Sequence, residues 1–235
     1  MTSMSSLNSA ANSKKLRASR NRFPKEKVVR AGRRERRKLA TREALLDATR
    51  ELLTERSLDA LSVDEIVERA DVARGTFYNY FSDKEALERE LTSRTRTRIE
   101  DQIARVNEGI KDPVQRVARA LCCVLRWGIN DRQDAIAMMR LFPHATDPAA
   151  PINSGVRRDA AEGIAQGRVL ADAEDVVVAY VMGLVVAGLN RALDLPGEDV
   201  PEFARGLASL LIHGLGVKRP EADRIARAAV KSILT

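Results

Sequence analysis

Leu45, Leu46, Thr49, Leu52 and Leu53 recur at helical spacing, so a helix is expected from about Arg33 to the Glu55-Arg56-Ser57 break, with Leu58 to Leu61 as a connector. Ser62 followed three residues later by Glu65 has the form of a capping box. It opens a helix that carries Ile66, Val67 and Ala70 inward and ends near Ala70. Asp71-Val72 reads as a turn, and Ala73 to Tyr80 as a second short helix whose Val72, Phe77 and Phe81 pack toward Ile66 and Ala70. Ser82, with Glu85, is expected to cap a long charged helix over Asp83 to Asn107, with Leu87, Leu91, Ile99, Ile103 and Val106 on its inner side.

Gly109 and Asp112-Pro113 then break the pattern, with Pro at the first position of a helix reaching about Ile129. Asp131 to Phe142 forms another helix, Pro143 to Pro151 a loop, and the glycine-containing Ile152 to Val169 a weakly apolar helical stretch. The closing helices are Asp172 to Leu193, Val200 to about Leu215, and Glu221 to Leu234. Between Val176 and Leu189 the pattern loses its polar side, which requires cover on more than one face. Ala179, Gly183 and Ala187 form a small-residue stripe there that permits close helix approach, and a second subunit is the natural cover. This run is 14 residues long, short of the roughly 20 that span a bilayer, and the amino terminus is polar and basic without an apolar core. No membrane contact and a cytoplasmic location are expected.

Composition agrees with an all-α chain: 235 residues, 44% hydrophobic but only 4% aromatic, rich in helix formers. Charge changes the picture more. Residues 1–38 carry 13 basic and 2 acidic side chains, a net of +11 against +7 for the whole chain, so the rest is acidic. Residues 39–95 alone hold 8 basic and 13 acidic groups. A basic arm of this kind supplies attraction to a polyanion that the following segment lacks, and Arg36, Arg37 and Lys38 are its candidate phosphate contacts. Met1 to Ser13, rich in Ser and Asn, reads as a disordered tail.

The outward residues of the second short helix are Arg74, Gly75, Thr76, Tyr78, Asn79 and Tyr80. Hydrogen-bond donors and flat rings on a helix with little charge suit base edges and phosphates in a major groove, the geometry of a helix-turn-helix. The run IVERADVARGTFYNYFSDKEAL resembles the signature of the tetracycline-repressor (TetR) family, with x-Gly-Thr, an aromatic-Tyr pair and Lys-Glu-x-Leu in order. The resemblance covers roughly residues 40–92. Val67 and Asp71 depart from it, standing where a small Ala and a Gly are usual. Arg74, Gly75, Thr76, Tyr78, Asn79, Tyr80 and Lys84 fall on positions with which that family touches DNA, and Ser62 is placed with them.

The resemblance implies an N-terminal three-helix DNA-binding domain joined to a larger helical effector-binding and dimerisation domain. The expected division is residues 1–32 as arm, 33–92 as DNA-binding domain and 93–235 as effector domain. It also implies a homodimeric repressor that leaves a palindromic operator when a small molecule binds. Trp127, Met138, Met139 and Phe142 are the candidate ligand contacts, with an apolar or amphipathic effector. A ligand-independent regulator, or an all-α interaction scaffold that does not touch DNA, are the alternatives. Neither cofactor nor metal is expected: Cys122 and Cys123 are neighbours that point apart on a helix, and His144 and His213 have no partners at ligand spacing. No catalytic residues are expected either, since the chain shows no nucleophile-base pair, and Gly214-Leu215-Gly216 follows a helix rather than a strand.

Overall fold

The computed structural model describes the backbone of residues 25–235 and the side chains of residues 35–235. The described residues fall into two units, divided between Leu45 and Leu46. Ten α-helices and three short 3-10 turns make up the described residues. In chain order the helices are α1 (Lys25–Leu52), α2 (Val63–Arg69), α3 (Arg74–Tyr78), α4 (Lys84–Val106), α5 (Pro113–Asn130), α6 (Arg132–Leu141), α7 (Ser154–Ala165), α8 (Glu174–Leu193), α9 (Val200–Gly214) and α10 (Arg219–Ile233). The all-α expectation holds.

Helix α1 begins at Lys25, eight residues before the expected Arg33. Its first half is dense in Lys, Arg, Glu and Ala, residues that lose little rotamer freedom in a helix, interrupted by Val28, Val29 and Gly32. The arm's earlier residues, including Met1 to Ser13, lie outside the described ones. Arg36, Arg37 and Lys38 are exposed along α1, where the Arg37 carbonyl accepts from Thr41 Oγ1 at 3.1 Å.

The body is organised around α5. Its Val114, Val117, Ala118, Leu121, Cys122, Val124 and Leu125 are buried, and α4, α6, α7, α8, α9 and α10 all pack against it. Cover on every side explains why adjacent Cys122 and Cys123 are both buried although they point apart. Asp112 caps the helix by accepting from Val114 N at 3.0 Å, with Pro113 in the first turn. The glycine-rich stretch after Pro151 resolves into a 3-10 turn over Pro151–Asn153 followed by α7.

Helix α8 differs from its expectation in length. It begins at Glu174, two residues after the expected Asp172, and its 20 residues include an 18-residue window of mean hydropathy 1.9, so the whole helix, unlike the 14-residue apolar run, is long and apolar enough to cross a membrane by length and composition alone. One side packs on α5, α7 and α9, as in a core helix. The other side, with Val176 at 65% exposure and with Ala179 and Ala187, faces outward.

Candidate functional site

The helix-turn-helix segment from Ser62 to Phe81, the candidate reading head, is built on a small core of its own. Ile66, Val67, Phe77 and Phe81 are buried, and the rings of Phe77 and Phe81 lie 5.7 Å apart. At the start of α2 the capping box forms as the spacing requires. Ser62 Oγ accepts from Glu65 N at 3.3 Å, while the Glu65 carboxylate accepts from Ser62 N at 2.9 Å. These bonds, the Ser62 backbone N–H first among them, lower the Glu65 pKa below its ordinary value. At the other end Val72 N donates to Val67 O and Asp71 N to Glu68 O, a Schellman closure. That closure needs a left-handed residue, and Asp71 supplies it with φ 53°. The departure from Gly at this position is therefore accommodated by a side chain that tolerates the conformation.

The turn leaves α3 only five residues, Arg74–Tyr78, shorter than expected. Arg74, Gly75, Tyr78 and Asn79 are exposed, and Thr76 and Tyr80 are half-buried. A Cβ on Gly75 would meet nothing within 4 Å, so this edge lies open to an approaching surface. Arg74 is already engaged: its Nη1 lies 2.6 Å from Asp64 Oδ1, and the Tyr78 hydroxyl followed by the Asp64 carboxylate raises its pKa further. Any base contact by Arg74 thus begins with leaving, or sharing, a carboxylate at the start of α2.

Lys84 has a different surrounding from the other candidates. Its ammonium donates to the carbonyls of Leu58, Asp59 and Leu61 at 3.2, 3.3 and 3.0 Å, tying the first turn of α4 to the connector. The cap of α4 is Asp83, which accepts from Ala86 N at 2.6 Å, and Ser82 Oγ donates to Asp83 instead of capping. Asp and Ser are both good caps, and the one nearer the first helical turn takes the role.

The body holds a cavity of about 600 Å³, walled by α4, α5, α6, α7 and α8. Met138, Met139 and Phe142 line it, as does the opposite wall of Val181, Met182 and Val185. Trp127 does not line it. Helix α5 turns Val117, Ala120, Leu121 and Val124 to the hollow, and the buried Trp127 ring meets α4 instead, with the Arg98 guanidinium 6.0 Å from its centre. The wall residues of α4, α7 and α8 come from separated stretches of apolar sequence, and no local signal marks them.

Helix α6 carries two polar ties that sequence reasoning missed. Buried Asp134 binds Arg50 Nε of α1 at 3.2 Å and Arg98 of α4, while burial pushes its carboxyl pKa up. Arg140 Nη1 donates to Leu53 O at 2.6 Å, at the end of α1. The helix that presents Met138 and Met139 to the cavity is therefore bonded to the helices that flank the reading head.

Residues 45–91 match the family model "Bacterial regulatory proteins, tetR family". Over this segment, about a fifth of the chain, the sequence is similar to the TetR family. Among curated relatives it is 43% identical over 61 residues to the uncharacterized HTH-type transcriptional regulator YvdT of Bacillus subtilis, 26% of this chain and 31% of that one. The chain thus spans less than a third of that relative's length in the match. Solved structures of similar fold cover far more of it. RolR in complex with resorcinol superposes with a TM-score of 0.55 at 26% identity, covering 82% of this chain and 95% of RolR. A gamma-butyrolactone receptor described as ArpA-like matches with a TM-score of 0.58 at 19% identity, over 84% of this chain and 99% of the receptor, a likeness of fold alone.

Proposed function

We propose that the protein is a cytoplasmic, homodimeric transcriptional repressor that binds a palindromic DNA operator and is released by a small apolar or amphipathic molecule in the body cavity. The observation that carries the DNA-binding half is the face of α3, where Arg74, Gly75, Tyr78 and Asn79 are exposed beside half-buried Thr76 and Tyr80, on a short helix that follows α2 and the capping box and Schellman turn that close it. Arg74 reads guanine and Asn79 adenine, while Tyr78 and Tyr80 hold phosphates. Lys84 acts on phosphate through its position at the start of α4, and Ser62 through the N-terminus of α2. Arg36, Arg37 and Lys38 add counter-charge at the start of the DNA-binding domain, which spans 33–92 after an arm that ends at residue 32, with the effector domain over 93–235.

The cavity favours a ligand-responsive regulator over a ligand-independent one. Its volume of about 600 Å³ lies within the ordinary range of small-molecule sites. RolR, the relative with bound resorcinol, places a ligand in a protein of similar fold. Helix α6 is the transmission element: a ligand that displaces Met138, Met139 and Phe142 moves a helix bonded to Arg50, Leu53 and Arg98. A tenfold coupling between the two sites requires about 1.4 kcal/mol of differential binding.

Dimerisation is assigned to the outer side of α8. Gly183 has nothing within 4 Å of a built Cβ, and Ala179 and Ala187 are exposed beside it. Gly183→Leu therefore leaves the protomer folded by circular dichroism and yields monomers by light scattering. The same variant loses retardation of palindromic fragments selected from the host genome by the wild-type protein, because two half-sites about one DNA turn apart then need separate heads. A Gly183→Leu dimer that still binds DNA as one unit would move the interface elsewhere.

A further inference from the structure

We propose that the effector is an amphipathic anion, its apolar body in the cavity and one carboxylate or phosphate head in a basic cleft on the outer side of α6 and α8. The inference rests on the reading of the cavity as the effector site. Met139 and Asn190 line both the cavity and the cleft, so these two side chains are the partition between an apolar interior and a charged exterior. Helices α6 and α8 both contribute to each hollow, which makes the gap between them the passage.

The charge distribution fixes which end of a ligand goes where. Arg132, Arg140 and Arg191 line the cleft against the single carboxylate of Asp194. Three like charges around one hollow leave it net positive, which attracts an anion and repels a cation. Arg132 donates one N–H to Leu193 O and Arg140 one to Leu53 O, and each guanidinium has five donors in all. The cavity itself offers the opposite balance. Its charged wall residues are Glu100, Arg158 and Asp159, and Arg158 lies 3.4 Å from Asp159. Asp159 is shared with Arg116 at 2.9 Å, and an anionic head turned inward would meet the carboxylates of Glu100 and Asp159 beside one largely exposed guanidinium, Arg158, against three in the cleft. Turned outward, it meets guanidiniums whose planar forks suit carboxylate and phosphate.

Volume sets the body of the ligand. An apolar hollow of about 150 Å³ accepts benzene. One of about 600 Å³ therefore holds a chain of roughly a dozen carbons or a few fused rings. Arg140 links the head to the DNA-binding end, because the guanidinium that meets an anion with its remaining donors also holds the Leu53 carbonyl. Ala187 lies on the rim of the cleft, so the head sits beside the proposed dimer face.

Calorimetric titration of the full-length protein tests this with four probes held below their micelle concentrations: dodecanoate, dodecyl phosphate, dodecanol and dodecyltrimethylammonium. At least one anion is expected to bind about tenfold tighter than dodecanol, as charge-assisted bonds to arginine require, with the cation weakest. The tighter of the two anions identifies the head. The Arg132→Ala/Arg191→Ala double variant, checked for native circular dichroism, brings both anions down to the affinity of dodecanol. Equal binding of dodecanol and both anions to the wild type would overturn the anionic head while leaving the cavity as a ligand site. Full anion preference in the double variant would overturn its placement in the cleft. Binding of none of the four would remove the cavity reading together with this one.

Discussion

The reading head and the body that follows it bury side chains for opposite ends. In the head a handful of large residues, Phe77, Ile66 and Phe81, is closed completely so that a short helix can hold its outer side chains in solvent. In the body a much larger core, centred on α5, is left open in the middle, and the surface proposed for the effector faces inward. The difference is one of how function is distributed along the chain. A surface that reads DNA is a set of individually chosen polar groups on one element. A hollow that holds an apolar molecule is a shortage of side-chain volume shared by five helices, and no single residue is responsible for it.

The sharpest way to break this comparison is Phe77→Ala. Phe77 is fully buried, and removing it leaves a void in a core too small to redistribute, so a loss of about 3–5 kcal/mol is expected by denaturant unfolding. A comparable truncation on the cavity wall, Met182→Ala, merely enlarges an existing hollow and should cost less than the usual 2–5 kcal/mol for a core methionine. Equal losses in the two variants would show that the cavity wall packs as tightly as the head.

Arg74 and Asp64 sharpen the comparison on the DNA side. Arg74→Ala is expected to cost about 1–3 kcal/mol on the preferred sequence and to relax preference at one position per half-site. Asp64→Ala acts in the opposite direction, freeing the guanidinium from its 2.6 Å partner and removing a negative charge beside the phosphates. Gel retardation at fixed salt with preferred and scrambled duplexes measures both. Tighter binding by Asp64→Ala on all sequences alike would make Arg74 a phosphate contact.

Asp134→Asn probes the link between the two regions. It leaves Arg50 and Arg98 without their shared carboxylate, but the side chains of both arginines are 33% and 49% exposed, so water offsets much of the loss. About 1–2 kcal/mol of stability is expected, read by thermal unfolding. If the buried pair matters for transmission, hydrogen exchange in α3 should also quicken, whereas an unchanged head would confine Asp134 to the packing of α6.

The smallest effect expected is on cysteine chemistry. Burial pushes the Cys122 thiol up to about 12 and raises Cys123 as well, so neither forms thiolate at neutral pH in the folded protein. Iodoacetamide at pH 8 should label neither in native buffer and both in guanidinium chloride. Rapid native labelling would show that α5 is less covered than its neighbours suggest.

The capping box, the Asp71 turn and the face of α3 were legible because each is written within a few adjacent residues. Ser62 and Glu65 satisfy each other's backbone groups across three positions, and Asp71 enters the left-handed region in a turn that its own neighbours close. The same locality made Met138, Met139 and Phe142 visible as one stripe on one helix. Trp127 was grouped with them on residue type, and only the rotation of α5 against α4 turned it away from the cavity.

What the sequence determined by itself is therefore whatever depends on the order of neighbours: ten helices among the described residues in nearly the expected places, the basic bias of the leading segment, and the identity of the side chains along α3. Tertiary structure decided the rest. Arg74 meets Asp64 ten residues away, Lys84 meets carbonyls more than twenty residues back, and Arg140 meets Leu53 across 87 positions. The cavity and its basic cleft arise where α6 and α8 happen to lie side by side. A charge or a gap acts over ångströms in space, and chain order fixes that distance only within a turn or two of helix.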